Sequence, residues 1–284
     1  IAFDGGSTAI LLAELGALYA ALEAGGTAAD AGLAALPVQY VDYALWQRDS
    51  VVPLLEQQRE YWRAQLREGA LPVLELPLDH ARPPVQTYAG DAVGVRIGAA
   101  AAGRLEAAGR SHRCTLFQLV LGVWSLALCR HAGQEEVVVG SPYHGRDAAG
   151  TESLIGYFVN VLALRVEARR GGSASALLSS ARGAASGAMR YASVPFQSVV
   201  HELLPRRAHD ASRNAVFQAM LAWGAAADAQ NGGGSEASAG FGGLAEAGAA
   251  GGGEHRVAKV EVTMVGGAGS SIAGGLEFNT NLYA

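Results

Sequence analysis

The stretch from Val137 to Arg165 constrains the fold more than any other part of the sequence. It opens with a short β-branched run, Val137–Val139, which Gly140 and Pro142 close in the way that turn residues close a strand. A polar loop follows. A near-continuous apolar run then predicts a second strand from Tyr157 to Val166, with both of its faces covered. The stretch therefore predicts two buried strands joined by an exposed loop.

Asn160 is a polar residue within the apolar run of the second strand. If its side chain is buried, its amide must find hydrogen-bond partners. Two interpretations stay open at this point: a core asparagine with satisfied hydrogen bonds, or a polar contact that serves function.

The first residues, Ile1–Ser7, predict the end of a strand, a turn and the start of a helix. Asp4 and Gly5 have the chemistry of a turn, and Ser7 is a favourable N-cap residue. The helix that follows carries an apolar stripe, formed by Ile10, Leu11, Leu15, Leu18 and Leu22.

The rest of the chain contains both helical and extended patterns. Two helical segments span residues 37–67 and are interrupted near Pro53, and the proline-rich Leu76–Gln86 predicts an extended crossing. Further elements are predicted as a strand at Ala92–Ile97 and helices at Ala99–Arg110, Leu116–His131 and Ser173–Arg190, with an extended lead from Tyr191 into a helix that ends near Leu204.

The segment Gly224–Glu254 differs in kind from the rest, because glycine, alanine, serine and a few acids make up nearly all of it. Such a composition buries too little apolar area to offset the entropy lost on ordering, so a flexible insertion is predicted. Strand-like patterns resume at Val257–Val265 and Ile272–Asn279.

Composition argues against several classes of function. The net charge of -5 and the absence of a basic run argue against nucleic acid and against an anionic membrane surface. We expect no apolar stretch long enough to span a membrane. Cys114 and Cys129 fit a reducing compartment, and the histidines have no metal-ligand spacing. A cytoplasmic protein without a metal site is expected.

Several motifs, in their order along the chain, resemble the condensation domains of nonribosomal peptide synthetases. IGYFVNVLALR (155–165) resembles the family's "GFFVNT-hydrophobic-LR", and GSPYHGRD (140–147) resembles the "G-[ST]-P-x-x-x-R" loop before it. YVDYALWQR (40–48) matches "Y-x-D-Y-A-x-W" at all five fixed positions. The end of the chain, LEFNTNLYA, resembles "L-x-Y-N-T-D-L-F".

Two other stretches depart from the family patterns. DASRNAVFQAMLAW (210–223) resembles "S-R-x-P-L-F-Q-V-M-F", but Ala215 replaces the usual proline. YASVPFQSVV keeps only Pro195 and Phe196 of "[HN]-Q-D-x-P-F-E". The resemblance nevertheless extends from Ile1 to Tyr283, apart from the glycine-rich segment.

The resemblance implies a chloramphenicol-acetyltransferase-like α/β fold, a mixed sheet flanked by helices, normally built as two similar halves around a tunnel. Residues 1–50 would be the tail of the N-terminal half and residues 51–284 the C-terminal half. It also implies an acyltransferase that forms amide bonds between a carrier-bound aminoacyl or peptidyl donor and an aminoacyl acceptor. Partners would be peptidyl carrier and adenylation domains. No cofactor would bind directly, because 4'-phosphopantetheine belongs to the carriers.

The resemblance further assigns roles to particular residues. IAFDG matches the last five positions of the family's H-H-x-x-x-D-G, which places the catalytic second histidine before Ile1 and leaves no catalytic residue in this chain. Asp4 would form a bidentate ion pair with Arg146 and brace the histidine loop, as such pairs fix geometry. Gly5 would allow close approach of the substrate. Asn160 and Asn214 would provide further polar support for the active site.

Three alternatives stay open: a non-catalytic docking or scaffold remnant of a synthetase, a related acyltransferase, and an epimerization domain. IGYFVN argues against the last, since epimerization domains usually carry a motif rich in "G-W-F-T" at this point. His144 lies in the loop before Arg146, and we expect it to be a solvated side chain rather than a catalytic one.

Overall fold

Seven strands form one mixed sheet in the computed structural model, which describes residues 3–66, 71–203, 210–225, 256–268 and 271–284. The spatial order is β3-β2-β4-β6-β7-β1-β5. The β2–β4 and β4–β6 pairs are parallel, and the other pairs are antiparallel. The strands are β1 (Ala89–Ile97), β2 (Glu136–Tyr143), β3 (Asn160–Glu167), β4 (Ala219–Ala225), β5 (Arg256–Val257), β6 (Val262–Ala268) and β7 (Ile272–Asn279).

Seven α-helices accompany the sheet in the described part of the chain. They are α1 (Gly5–Glu23), α2 (Tyr40–Trp46), α3 (Glu56–Gln65), α4 (Ala99–Ser111), α5 (Leu116–Ala132), α6 (Ala174–Arg190) and α7 (Phe196–Leu203). The predicted interruption near Pro53 is present, because a π-turn and a 3-10 turn separate α2 from α3. The Leu76–Gln86 segment is neither helix nor strand, as expected, and it bends at 79–80 and at 84–85.

The core lies between the pair α5–α6 and the strands β2, β3 and β4. Val139 pairs with Leu164 across β2 and β3, and both side chains are fully buried. Leu121 of α5 and Leu221 of β4 are also at 0% exposure. Burying a side chain of this size contributes about 1.5–3 kcal/mol, so this cluster provides much of the stability. The predicted burial of the two strands of the Val137–Arg165 stretch, β2 and β3, is confirmed for most of their residues.

The second strand of the focal stretch begins later than the sequence predicts, at Asn160 rather than Tyr157. The backbone groups of the preceding residues are used elsewhere. The Gly156 carbonyl accepts from the Asp4 amide, and the Phe158 amide donates to the Asp4 carboxylate. The Tyr157 carbonyl accepts from the Tyr40 hydroxyl. A segment whose amides and carbonyls bind α1 and α2 cannot also extend the ladder with β2.

The N-cap of α1 is Asp4, and the prediction of Ser7 as the cap is wrong. Asp4 has an extended backbone, and its carboxylate accepts from the Ser7 amide, three residues on, at 3.0 Å. Ser7 therefore lies in the first turn of the helix, fully buried. Aspartate is as good a cap as serine, so the choice depends on which residue can also find partners in the rest of the fold.

The apolar stripe of α1 is largely exposed. Leu11, Leu15 and Leu22 are 40–58% exposed, and Ser7 is the buried residue of this helix. Contrary to the expectation from composition, α1 is long and apolar enough to cross a membrane. The pair α4–α5 meets the same criterion jointly but bends by 100° at its break, and about half of the residues of α5 are buried.

The C-terminal strands differ from the prediction in their bounds. β4 continues to Ala225, two residues into the segment predicted as an insertion, and the remainder of Gly224–Glu254 lies outside the described residues. The strand predicted at Val257–Val265 is two strands, because β5 pairs with β1 whereas β6 lies between β4 and β7. Between them the chain crosses from one part of the sheet to another.

Candidate active site

Asp4 forms the centre of a buried polar cluster where α1 begins. Its Oδ1 accepts from the Ser7 amide at 3.0 Å, the Ser7 hydroxyl at 2.9 Å and Nη2 of Arg146 at 3.1 Å. Its Oδ2 accepts from the Phe158 amide at 2.9 Å. Asp4 is 6% exposed. With both oxygens engaged, this carboxylate holds three chain segments together and is not free to act as a base.

Arg146 completes the cluster from the loop that follows β2. Its Nη1 donates to the carbonyls of Thr151 and Leu154, at 2.7 and 2.8 Å, which closes its own loop around it. The guanidinium carbon lies 4.1 Å from the centroid of the Phe158 ring, a cation–π distance. The predicted contact between Asp4 and Arg146 is present, with side chains 2% and 10% exposed.

The geometry of the ion pair differs from the bidentate pair that the resemblance implies. Only Nη2 reaches Asp4, because Oδ2 of the carboxylate is taken by the Phe158 amide. Nη2 also donates to the Ser7 hydroxyl at 2.8 Å. The guanidinium of Arg146 therefore donates hydrogen bonds to Asp4, to Ser7 and to two carbonyls of its own loop.

Ser7 is a member of this cluster that sequence reasoning did not assign. Its hydroxyl accepts from the Gly156 amide at 3.0 Å and from Arg146, and its one proton lies within reach of both Asp4 and the Gly156 carbonyl. The spacing of three from Asp4 is the available sequence signal, because the third residue of a helix faces its cap.

Glycine at position 145 is required by the fold of the loop. Gly145 has a φ of +65°, where side chains are disfavoured, and a Cβ there would overlap the Phe158 carbonyl. Gly6 is crowded at the helix start, since a Cβ on Gly6 would lie 3.3 Å from Nε of Arg146. Gly5 is the first residue of α1.

Asn160 connects the start of β3 to the segment before α7. Its Nδ2 donates to the carbonyls of Ala192 and Val194, at 2.7 and 2.8 Å. Its Oδ1 accepts from the amides of Val161 and Phe196, at 2.9 and 3.0 Å. The amide is therefore fully hydrogen-bonded, and its contribution to a site is to fix the wall from which it projects.

Asn214 and His144 contact parts of the protein other than the Asp4 cluster. Oδ1 of Asn214 accepts from the amides of Val216 and Phe217, so this side chain closes the turn before β4. His144 is exposed, with its ring 5.2 Å from that of Tyr143, as the sequence predicts for a solvated loop residue.

A cavity of about 540 Å³ lies beside the cluster. Phe158, which contacts both Asp4 and Arg146, forms part of its wall, and so does Gly145. Its other walls come from α2, the end of β2, the start of β3 and the segment before α7. The aromatic residues lining it are Tyr40, Tyr43, Trp46, Tyr143, Tyr157, Phe158 and Phe196.

Two phenols of this cavity are held in the protonated form. Burial, followed by the hydrogen bond to Asp147, raises the pKa of Tyr143 to about 12. The Tyr143 hydroxyl is 2.8 Å from both oxygens of Asp147. Burial is also the main cause that raises the pKa of Tyr43, with smaller effects of Tyr40 and Asp147. At neutral pH both groups are hydrogen-bond donors.

The sequence matches the Condensation domain family over residues 1–282. It is 39% identical to a component of the linear gramicidin synthase of Brevibacillus parabrevis over 222 residues, which is 78% of this chain and 4% of that protein. It is 38% identical to the malpinin synthetase of Mortierella alpina over 224 residues, or 78% of this chain and 3% of that protein. The chain thus spans a small part of the length of these relatives.

Solved structures share the fold over the whole chain. The X-domain in complex with OxyB from teicoplanin biosynthesis has a TM-score of 0.81 at 22% identity, covering 100% of this chain and 61% of that one. The condensation domain of the monacolin K polyketide synthase MokA has a TM-score of 0.71 at 17% identity, with 100% and 63% coverage. These likenesses confirm the chloramphenicol-acetyltransferase-like fold that the sequence predicts. The chain belongs to the condensation-domain family.

Proposed function

We propose that this chain takes part in amide bond formation in nonribosomal peptide synthesis. The amine of an aminoacyl acceptor attacks the carbonyl of an aminoacyl or peptidyl thioester, a C–N bond forms and the C–S bond breaks. The amine gives up a proton, and the released carrier thiol gains one. The membership of the chain in the condensation-domain family, with synthetases among its relatives, supports this proposal.

The structural observation that carries the proposal is the contact of Arg146, Ser7 and Phe158 with Asp4. This cluster fixes the backbone at the start of α1, directly after the positions where the family motif has its histidines. We propose that the second histidine of that motif, preceding Ile1 in the full protein, handles the proton of the amine. Asp4 and Arg146 are then positioning residues, Gly5 leaves room for the substrate, and Asn160 and Asn214 support the walls.

Even without a catalytic group of its own, such a site can accelerate the reaction by positioning the two substrates. Holding two reactants in the reactive geometry can supply about 7–11 kcal/mol of the barrier. The cavity beside Phe158 is large enough to hold an aminoacyl group, since small-molecule sites measure about 300–1,000 Å³. Its rigid walls, fixed through Asn160 and the Asp4 cluster, suit this task.

The exposed apolar face of α1 supports the proposed division of the chain. We propose that residues 1–50 belong with an N-terminal half that covers Leu11, Leu15 and Leu22, while residues 51–284 form the C-terminal half. Large exposed apolar patches mark interaction sites. Burial of these leucines against an N-terminal half would explain why α1 is so apolar, and it is consistent with our proposal of a cytoplasmic protein.

The substrates would arrive on partner domains. We propose that peptidyl carrier domains deliver both thioesters on 4'-phosphopantetheine arms and that an adenylation domain of the same synthetase activates the acceptor. A four-domain nonribosomal peptide synthetase shares the fold, with a TM-score of 0.72 at 20% identity. No group other than the carriers' arm is needed for the proposed reaction.

An assay of the full-length protein with two loaded carrier domains tests the proposal. Amide formation, detected by mass spectrometry of the acceptor carrier, is the expected result. It should fall at least tenfold when the proposed second histidine of the motif is replaced by alanine, since general acid–base catalysis contributes about 10²–10⁴-fold. Product formation that is unaffected by this substitution would overturn the role of the histidine, and no product with intact, loaded carriers would favour a docking function.

A further inference from the structure

The cavity beside Phe158 has seven aromatic residues in its lining and is nearly free of charge. Aside from Asp147, none of the described residues that line it is ionised at neutral pH. Aromatic walls stack with flat apolar groups and contribute beyond the burial of area. The lining alone therefore indicates a ligand group that is apolar and flat.

Several polar groups of the cavity are used within the protein. Asn160 has all four of its hydrogen bonds, Tyr40 donates to the Tyr157 carbonyl, and Tyr143 donates to Asp147. The hydroxyl of Tyr43 accepts from Nε2 of Gln47 at 3.3 Å, and no acceptor for its own proton is present among the described residues. The Tyr43 hydroxyl is therefore a donor that a ligand in the cavity can use.

Asp147, the carboxylate in the lining of the cavity, disfavours a negatively charged ligand. Asp147 is exposed, and both of its oxygens accept from Tyr143. Its charge raises the pKa of Tyr43 as well as that of Tyr143, so it acts across the cavity. An acidic side chain placed here would meet like charge and an apolar wall.

We propose that this cavity binds the side chain of an aminoacyl substrate and selects aromatic side chains over small or acidic ones. The inference rests on the proposed function, because it takes aminoacyl groups as the substrates. The Tyr43 hydroxyl donates to a carbonyl of the bound group, and Trp46 stacks against its ring from the open side, where Trp46 itself is 48% exposed.

Binding of amino acid amides to the 284-residue protein tests this assignment, with saturation-transfer NMR and titration calorimetry as the readout. L-Phenylalaninamide represents an acceptor and N-acetyl-L-phenylalaninamide a donor, so the pair distinguishes the two sources of the side chain. We expect one or both to bind at least about tenfold more tightly than the matching alanine compound, since a hydrophobic pocket discriminates by that factor for even small differences. The amide with a glutamate side chain should bind more weakly than the phenylalanine compound.

Two neighbouring alanines provide a matched pair of variants. Ala148 lines the cavity, whereas the exposed Ala149 does not. Ala148→Trp should fill the space and lower the affinity for the phenylalanine compound at least tenfold, and Ala149→Trp should leave it unchanged. Trp46→Ala, at an exposed ring, should also weaken binding and gives a second test should Ala148→Trp fail to fold.

Equal binding of the phenylalanine and alanine compounds, or undiminished binding to folded Ala148→Trp, would overturn the assignment. Because the readout is binding, it is independent of amide formation. Absence of amide formation by the full-length protein, with selective binding intact, would count against the proposed function alone. Amide formation by the full-length protein without selective binding would count against the cavity alone.

Discussion

Nη2 of Arg146 lies 3.1 Å from Oδ1 of Asp4, although 142 residues separate the two along the chain. Both side chains are buried, and the same guanidinium holds the Ser7 hydroxyl and two carbonyls of its own loop. The pair therefore joins the start of α1 to the loop between β2 and β3. The order of the proposed active site depends on this junction.

Removing either member of this pair should strand a buried charge. We expect Asp4→Asn and Arg146→Ala each to lower the free energy of unfolding by about 3–5 kcal/mol, and the double variant to lose less than the sum. Denaturant unfolding measures these changes. Arg48→Ala is the control, because Arg48 pairs with Asp49 at the surface, with side chains 69% and 59% exposed. A cost there below about 1 kcal/mol is expected. Equal costs at the buried and exposed pairs would contradict the assignment.

The loop glycine offers a test of close packing. Gly145→Ala should cost the strain of a positive φ and the displacement of the Phe158 carbonyl. Gly171→Ala, with a φ of +72° and open space around it, should cost the strain alone. We expect the first to be more destabilising by about 1–3 kcal/mol, the usual cost of overpacking. Thermal and denaturant unfolding of both variants measure the difference. Equal losses of stability in the two variants would show that the Phe158 carbonyl is displaced at little cost, and would contradict the prediction.

Asn160→Asp should destabilise the wall of the cavity. The change removes both hydrogen bonds donated to Ala192 and Val194 and places a carboxylate against their carbonyls. Each buried group left without a partner costs about 1–3 kcal/mol, so a loss of about 2 kcal/mol or more in unfolding free energy is expected. Asn281→Asp, at an exposed position, is the control and should change little. A loss no larger than that of the control would contradict the hydrogen bonding described.

Alkaline pH should weaken the fold through its partly buried phenols. In the folded protein the pKa of Tyr143 is about 12, above the ordinary value of 10.0. The unfolded chain therefore ionises first, and the stability present below about pH 10 falls as the pH rises toward 12. Tyr143→Phe should reduce this dependence without abolishing it, because burial also raises the pKa of Tyr61 and Tyr283. Tyr19→Phe, at a ring 65% exposed, should leave it in place. Denaturant unfolding at several pH values across this range measures the dependence. If the free energy of unfolding of Tyr143→Phe falls with pH as steeply as that of the unmodified protein, the prediction is wrong.

The face of α1 provides a test of the proposed division into halves. In the 284-residue protein, Leu15→Glu should change the unfolding free energy by no more than about 0.5 kcal/mol, because Leu15 is 58% exposed. In the full-length protein the same change should cost at least about 2 kcal/mol if another segment covers this face. Leu121→Ala, in the core, should be costly in both. An equally small effect of Leu15→Glu in both proteins would contradict the proposed cover.

The sequence was informative wherever burial follows a local pattern. The periodicity of α5 predicts that helix close to its observed bounds. The β-branched run predicts the existence of β2, but the prediction that Gly140 and Pro142 close the strand is wrong, because β2 continues through both residues to Tyr143 and stays paired with β3. The contact of Asp4 with Arg146 came from the family resemblance and is present. The role of Ser7 and the late start of β3 were missed, because they depend on partners 149 and 154 residues away, Gly156 for Ser7 and Asp4 for Phe158. Local patterns carry no information about such pairs.

The predicted bounds of the strands near the C terminus were wrong for a related reason. The residues from Val257 to Val265 have one uninterrupted strand-like pattern, yet β5 and β6 occupy separate positions in the sheet. Ala258 and Glu261 instead hydrogen-bond to the backbone of Tyr88 and Gln218. A pattern that predicts strand character does not predict which neighbours a strand takes.

The most direct measurement compares amide formation by the 284-residue protein and by the full-length protein, each supplied with the same two loaded carriers. We expect product from the full-length protein and none above background from the 284-residue protein, because the proposed histidine precedes Ile1. Arg146→Ala in the full-length protein should lower the rate, since it releases the cluster that orders the start of α1. Product from the 284-residue protein at a comparable rate would contradict the account, because the catalytic group would then lie within this chain.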